Sequence, residues 1–123
     1  CEQCIEACPT KAIEEPFIVN SNKCLAYHTL ENRDEKLPKS IVKNMGNWIA
    51  GCDICQEVCP WNHKNIPKTS EPDLQPSEWI LNITKENAIS WSDSEWKENL
   101  NKSTLKRIKP WMWRRNINSI INN

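Results

Sequence analysis

Apolar residues along this chain come in short, interrupted runs rather than long stripes. Ala12-Ile13 and Phe17-Ile18-Val19 flank Pro16, which predicts a small β-hairpin. Asn20-Ser21-Asn22 is turn and cap chemistry, and it opens a helix from about Lys23 to Glu31 with Cys24 in its first turn. Asn32 to Lys36 is a polar loop. Pro38 starts a second helix, where Ile41, Val42 and Met45 mark one face and Gly46 is placed to cap the end. Residues 62–76 are rich in Pro, Asn, Lys and Thr and read as a loop. Beyond it the pattern is helical. Pro76 to Ile83 carries Trp79, Ile80 and Ile83, and Ser92-Asp93-Ser94-Glu95 is a capping box ahead of Trp96 and Leu100. Ser103 to Lys109 and Pro110 to Ile121 are two further helices, the last with proline at its first position. The fold class is mainly α with one small β-hairpin.

Composition makes this a chain with little core of its own. Its 123 residues are 38% hydrophobic with a mean hydropathy of −0.71, and it has two Gly, eight Pro and seven Trp. Bound metal is expected to supply part of the ordering, as structural metals do in small domains, and the tryptophans offer large burial per residue. Net charge is zero but uneven. Residues 1–62 carry nine acids and six bases, residues 63–123 seven acids and ten bases, and Lys102 to Arg115 holds six bases and no acid. No apolar run approaches the ~20 residues needed to cross a bilayer, so no membrane partner is expected.

The chemistry lies in the cysteines. Cys1-Glu2-Gln3-Cys4-Ile5-Glu6-Ala7-Cys8-Pro9 and Cys52-Asp53-Ile54-Cys55-Gln56-Glu57-Val58-Cys59-Pro60 both read C-x-x-C-x-x-x-C-P, and Cys24 sits between them. Their odd number, the absence of a visible signal peptide and the recurring C-x-x-C rhythm argue against secreted disulfides and for a reducing, cytoplasmic setting. Thiolates suit soft metals, and this ending is that of the bacterial ferredoxin run, whose fourth cysteine ligates the other cluster of a pair. Two 4Fe-4S clusters take four cysteines each, and the chain has seven. A cysteine three residues ahead of Cys1 would complete the first run, so the chain, which begins inside a motif, reads as the C-terminal part of a longer protein. The expected crossing gives one cluster Cys1, Cys4, Cys59 and the upstream residue, and the other Cys8, Cys24, Cys52 and Cys55. Residues 1–62 are then a ferredoxin-like two-cluster domain, and residues 63–123 a loop and helical C-terminal segment. A zinc-stapled nucleic-acid-binding module is the rival reading of the same cysteines.

Little else offers a site for substrate. His28 reads as a surface residue of its helix and His63 as a loop residue. No Ser/His/Asp grouping is visible, and two glycines cannot build a phosphate loop.

Cys-Pro-Thr-Lys-Ala-Ile (8–13), Asn22 to Glu31, Leu37-Pro38 and Met45 to Asn62, with its Gly-Cys-Asp-Ile-Cys-Gln-Glu-Val-Cys-Pro-Trp-Asn block, resemble epoxyqueuosine reductase. The likeness continues more loosely to Leu105-Lys106-Arg107 and Arg114-Arg115-Asn116-Ile117. It implies a cytoplasmic, monomeric oxidoreductase that converts epoxyqueuosine to queuosine at the wobble position of tRNA. Cobalamin would be bound mainly by an N-terminal domain, which also carries the catalytic acid, so no residue of this chain receives a catalytic role. The two-cluster domain would relay electrons from an external donor. It also raises the basic, Trp-containing segment, with Lys106, Arg107, Arg114 and Arg115, as a tRNA contact. Trp61 and Asn62 are expected to close the second cysteine loop. The alternative within the same chemistry is an electron-transfer module of another reductase, such as a reductive dehalogenase.

Overall fold

The structure, a computed structural model, describes residues 1–64 and 66–122. Asn65, inside the expected 62–76 loop, and Asn123, at the end of the expected helical segment, lie outside the described residues. The architecture is mainly α with one two-stranded antiparallel sheet, as the apolar pattern predicts. Helix α1 (Gln3–Ala7) precedes strands β1 (Ile13–Glu15) and β2 (Ile18–Val19), followed by α2 (Leu25–Leu30), α3 (Lys39–Val42) and α4 (Ile54–Glu57). Helices α5 (Glu78–Asn82), α6 (Lys85–Ser90), α7 (Asp93–Leu100) and α8 (Pro110–Ile121) complete the chain. Among the described residues no helix is long and apolar enough to cross a membrane.

The hairpin turns at Pro16-Phe17. Pro16 presets the first turn position and Phe17 takes φ 70°, the positive value that the second position of a type II turn requires. Its ring is left in solvent. The expected helix at 23–31 starts later than its pattern implies. Ser21–Lys23 forms a 3-10 turn, and Cys24, with extended backbone, caps α2 instead of entering it. Helix α3 ends at Val42 with Lys43 as its cap, so Gly46 is not the cap its place in the pattern suggests; it takes φ 55° in the turn beyond, where a side chain would be strained.

Two apolar clusters form the interior. One gathers Ala88, Trp96, Leu100, Ile108, Met112, Trp113 and Ile117, with Leu30, Ile49 and Ala50 against it. The other joins Leu25, Leu37, Ile41 and Met45, with Ile120 packed on it. Helix α8 therefore serves both: Ile117 lies in the first and Ile120 on the second. Trp91 stacks parallel to Trp113 at 5.7 Å, and Trp79 meets Trp91 edge-on at the same separation. The Trp113 indole donates to the Ala88 carbonyl at 3.0 Å.

The capping box forms as expected. The Glu95 amide donates to Ser92 Oγ at 3.2 Å, and the Ser92 amide donates to the Glu95 carboxylate at 2.8 Å. A second box, between Thr84 and Asn87, starts α6; its Asn in place of Glu or Gln hid it from the sequence pattern. Ser92→Ala is expected to lower unfolding free energy by about 1 kcal/mol in urea titration. The backbone and hydroxyl of Ser92 hold the Glu95 carboxyl below the usual carboxylate range. Its contribution is thus fully present above that range and lost as pH falls through the depressed value.

Candidate metal centre

Each cysteine run folds the same way. Cys4 lies on α1 and Cys55 on α4, and these two short helices pack together. The third cysteine of each run leaves its helix in extended backbone: Cys8 at φ −64°, ψ 114° and Cys59 at φ −71°, ψ 120°. Proline follows both, and the residue before proline is driven out of the helical region. That turns each third sulfur away from its own loop. Cys24 has nearly the same backbone, φ −76°, ψ 123°, without a following proline. There the 3-10 turn sets the direction: Asn20 Oδ1 accepts from the Asn22 amide at 3.1 Å, and the Cys24 amide donates to the Ser21 carbonyl at 3.0 Å. Lys23 bonds Glu14 at 2.7 Å and fastens this turn to the hairpin.

The seven thiols are all free of disulfides and line two cavities. Cys8, Cys24, Cys52 and Cys55 surround the first, of about 180 Å³, whose other walls are apolar, from Ala12, Ile13, Leu25 and Ile54 among others. Cys1, Cys4, Cys55 and Cys59 line the second, of about 430 Å³, with Trp61 and Pro60 on its wall. Each cavity draws cysteines from both runs, and Cys55, Ile13 and Val19 border both. Four thiolates bound to one zinc at about 2.3 Å close a tetrahedron and leave no such space. The donor set and the spaces fit polynuclear clusters.

The electrostatics agree. Burial pushes the Cys8 thiol up, but hydrogen bonds from the Ala12 amide, the Thr10 hydroxyl and the Thr10 and Ile13 amides outweigh it and hold the thiol below its ordinary value. The Ala12 amide lies 3.2 Å from the sulfur and the Thr10 hydroxyl 3.6 Å. Burial raises the Cys52 thiol; an Ile54 amide opposes this, and the nearby Cys55, Cys24 and Cys8 thiolates add to it. Iron held by these four cysteines would relieve that mutual repulsion. Thr10 and Ala12 were missed as functional residues; the Cys-Pro-Thr-Lys-Ala turn was their only signal.

Trp61 lines the second cavity with its ring exposed to solvent and Lys64 5.7 Å above it. Asn62 closes the second loop by donating to the Gln56 carbonyl at 2.8 Å. His63 is an exposed loop residue bonded to the Glu57 carbonyl.

His28 is not on the surface. It is 3% exposed, Nε2 donates to the Asn22 carbonyl at 2.8 Å, and Asn32 Nδ2 donates to Nδ1 at 3.0 Å. Its helix turns that face inward, where both ring nitrogens find partners. Arg115, expected as a nucleic-acid contact, is likewise turned into the interior. It is 8% exposed, and its guanidinium donates to the carbonyls of Asn32, Asp34 and His28 and to Asn116 Oδ1. Arg114 bonds Asp93 at 2.5 Å and the Trp91 carbonyl at 3.0 Å, and Arg107 pairs with Glu31. Lys106 is exposed.

A family model described as a 4Fe-4S double cluster binding domain matches residues 1–62. The chain is 77% identical over 93 residues to the epoxyqueuosine reductase of Prochlorococcus marinus (strain NATL2A), covering 76% of this chain and 30% of that protein. It is 57% identical to that of Synechococcus sp. (strain CC9605), covering 76% and 29%. Two solved structures superpose with TM-scores of 0.88 over 98% of this chain and 32% of theirs: epoxyqueuosine reductase with an epoxyqueuosine-modified tRNA-Tyr stem loop, at 27% identity, and the Bacillus subtilis enzyme, at 28%. The chain spans about 30% of the length of the curated relatives it matches.

Proposed function

The chain belongs to the 4Fe-4S double cluster binding domain family, and on that premise we propose that it is the electron-relay part of an epoxyqueuosine reductase, which reduces epoxyqueuosine to queuosine in tRNA with cobalamin in the remainder of the protein. The pair of cavities, each lined from both cysteine runs, carries this reading. Cys8, Cys24, Cys52 and Cys55 would hold one cluster, and Cys1, Cys4 and Cys59 three ligand positions of the other. When bound, the clusters supply one-electron redox chemistry.

The residues of the chain do the rest. The packing of α1 on α4 holds the two sites side by side, with Cys55, Ile13 and Val19 between them. The Ala12 amide and Thr10 hydroxyl stabilise the Cys8 thiolate, and such hydrogen bonds to sulfur tune a cluster's potential. The walls of the first cavity are largely apolar. The likeness to relatives that act on a tRNA nucleotide, and the lysines about residues 97–109, support tRNA as the partner, with an external donor supplying electrons. No feature favours a free-standing carrier: the helical segment after Asn62 is built into the same core as Leu30 and Ile49.

The test is anaerobic reconstitution of the whole reductase carrying this chain. About eight irons and eight sulfides per chain are expected, together with conversion of epoxyqueuosine to queuosine in tRNA. Stoichiometric zinc without iron overturns the cluster reading; full iron without this conversion leaves a two-cluster carrier of other purpose.

A further inference from the structure

Away from the cysteines, a cleft of about 410 Å³ lies between α7 and the start of α8, lined by Asp93, Trp96, Lys97, Asn101, Lys106 and Lys109. Three lysines line it against one acid, Asp93, whose carboxylate already binds Arg114 at 2.5 Å. Among the described residues none of the three lysines is in a salt bridge. Pro110, the first residue of the twelve-residue α8, also borders the cleft. That helix has no side-chain cap and no acid in its first turn, so the positive end of its dipole is not neutralised. Trp96, in the cleft wall, is 7% exposed, and its indole N–H is the one buried side-chain polar atom without a partner among the described residues. A buried donor left without a partner is costly, and this one lies beneath the cleft surface, itself shielded from solvent.

We propose that this cleft binds a phosphate of the RNA backbone. Lysine is a point-charge phosphate binder, and a helix N-terminus adds donors and potential of the same sign. Lys97, Lys106 and Lys109 are all exposed, so a chain of phosphates can pass across the site without opening the fold. The proposal rests on tRNA as substrate, and it moves the contact from the arginines to the lysines: Arg115 is interior, and Arg107 and Arg114 are paired.

The experiment measures binding of an RNA stem loop to the whole reductase as salt is varied. The Lys106→Gln/Lys109→Gln variant is expected to bind about tenfold more weakly, with a salt slope shallower by about one. Lys68→Gln/Lys85→Gln, outside the cleft, should alter neither. RNA binding that the cleft lysines do not affect overturns the site and leaves the tRNA reading standing. A wild-type protein that takes up inorganic phosphate in calorimetry and no RNA overturns both.

Discussion

Replacing Cys24 by alanine in the reconstituted reductase is expected to remove one cluster entirely and leave the other. Iron should fall by about four per chain, one of the two reduced-cluster EPR signals should vanish, and queuosine formation should drop to background. Cys24 shares its cavity with Cys8, Cys52 and Cys55, whereas Cys1, Cys4 and Cys59 line the other one. No spare thiol lies on the wall that Cys24 leaves. Cys8 is already turned into this cavity by Pro9, and its hydrogen bonds to the Ala12 amide and Thr10 lower its pKa there. The second signal should survive, because α1 and α4 pack directly on each other. Two undiminished signals and full iron in this variant would break the ligand assignment.

How much of this was legible beforehand depends on the range of the interactions involved. The C-x-x-C-x-x-x-C-P runs, the hairpin at 13–19 and the Ser92 capping box are local, and their residues state their conformations within a few positions. What the pattern could not show is where solvent ends. His28 looks like a polar face residue of an isolated helix, and it is interior because Asn22 and Asn32 offer a partner to each ring nitrogen. Arg114 and Arg115 look like two equal basic residues. Adjacent residues on a helix project about 100° apart, so one reaches the Asp93 surface and the other the interior. The unpartnered Trp96 indole and the lysines around it come from three segments that meet only in the folded chain.

The Arg115–Asn116 pair explains how a ligand site split by 27 intervening residues is held together, and Arg115→Ala is expected to cost about 3–5 kcal/mol of unfolding free energy. Its guanidinium donates to the carbonyls of His28 at 3.0 Å, Asn32 at 2.8 Å and Asp34 at 2.6 Å, at the end of the helix that Cys24 caps. It also orients Asn116, whose amide donates to the carbonyls of Thr29 at 2.9 Å and Ile49 at 2.8 Å. The Thr29 hydroxyl in turn accepts from the Gly51 amide at 3.0 Å, one residue before Cys52. Helix α8 is therefore bonded to both chain segments that carry the split cysteines. Removing the guanidinium strands the interior carbonyls of His28 and Asn32, which have no water to turn to, each at about 1–3 kcal/mol. That loss is large against a total of about 5–15 kcal/mol. Burial lowers the Arg115 pKa, with Asp34 opposing, yet arginine remains charged throughout the working pH range. Arg115→Lys should rescue only part of the loss, since one ammonium cannot span the acceptors a planar fork reaches. Urea titration of the reconstituted protein measures the cost, and iron retention measures the coupling. The cluster ligated by Cys24 and Cys52 should be lost at lower urea in Arg115→Ala, while Lys106→Gln, on the surface, should leave both midpoints in place. A loss under about 1 kcal/mol with unchanged iron retention would mean that the two cysteine segments hold their spacing without α8.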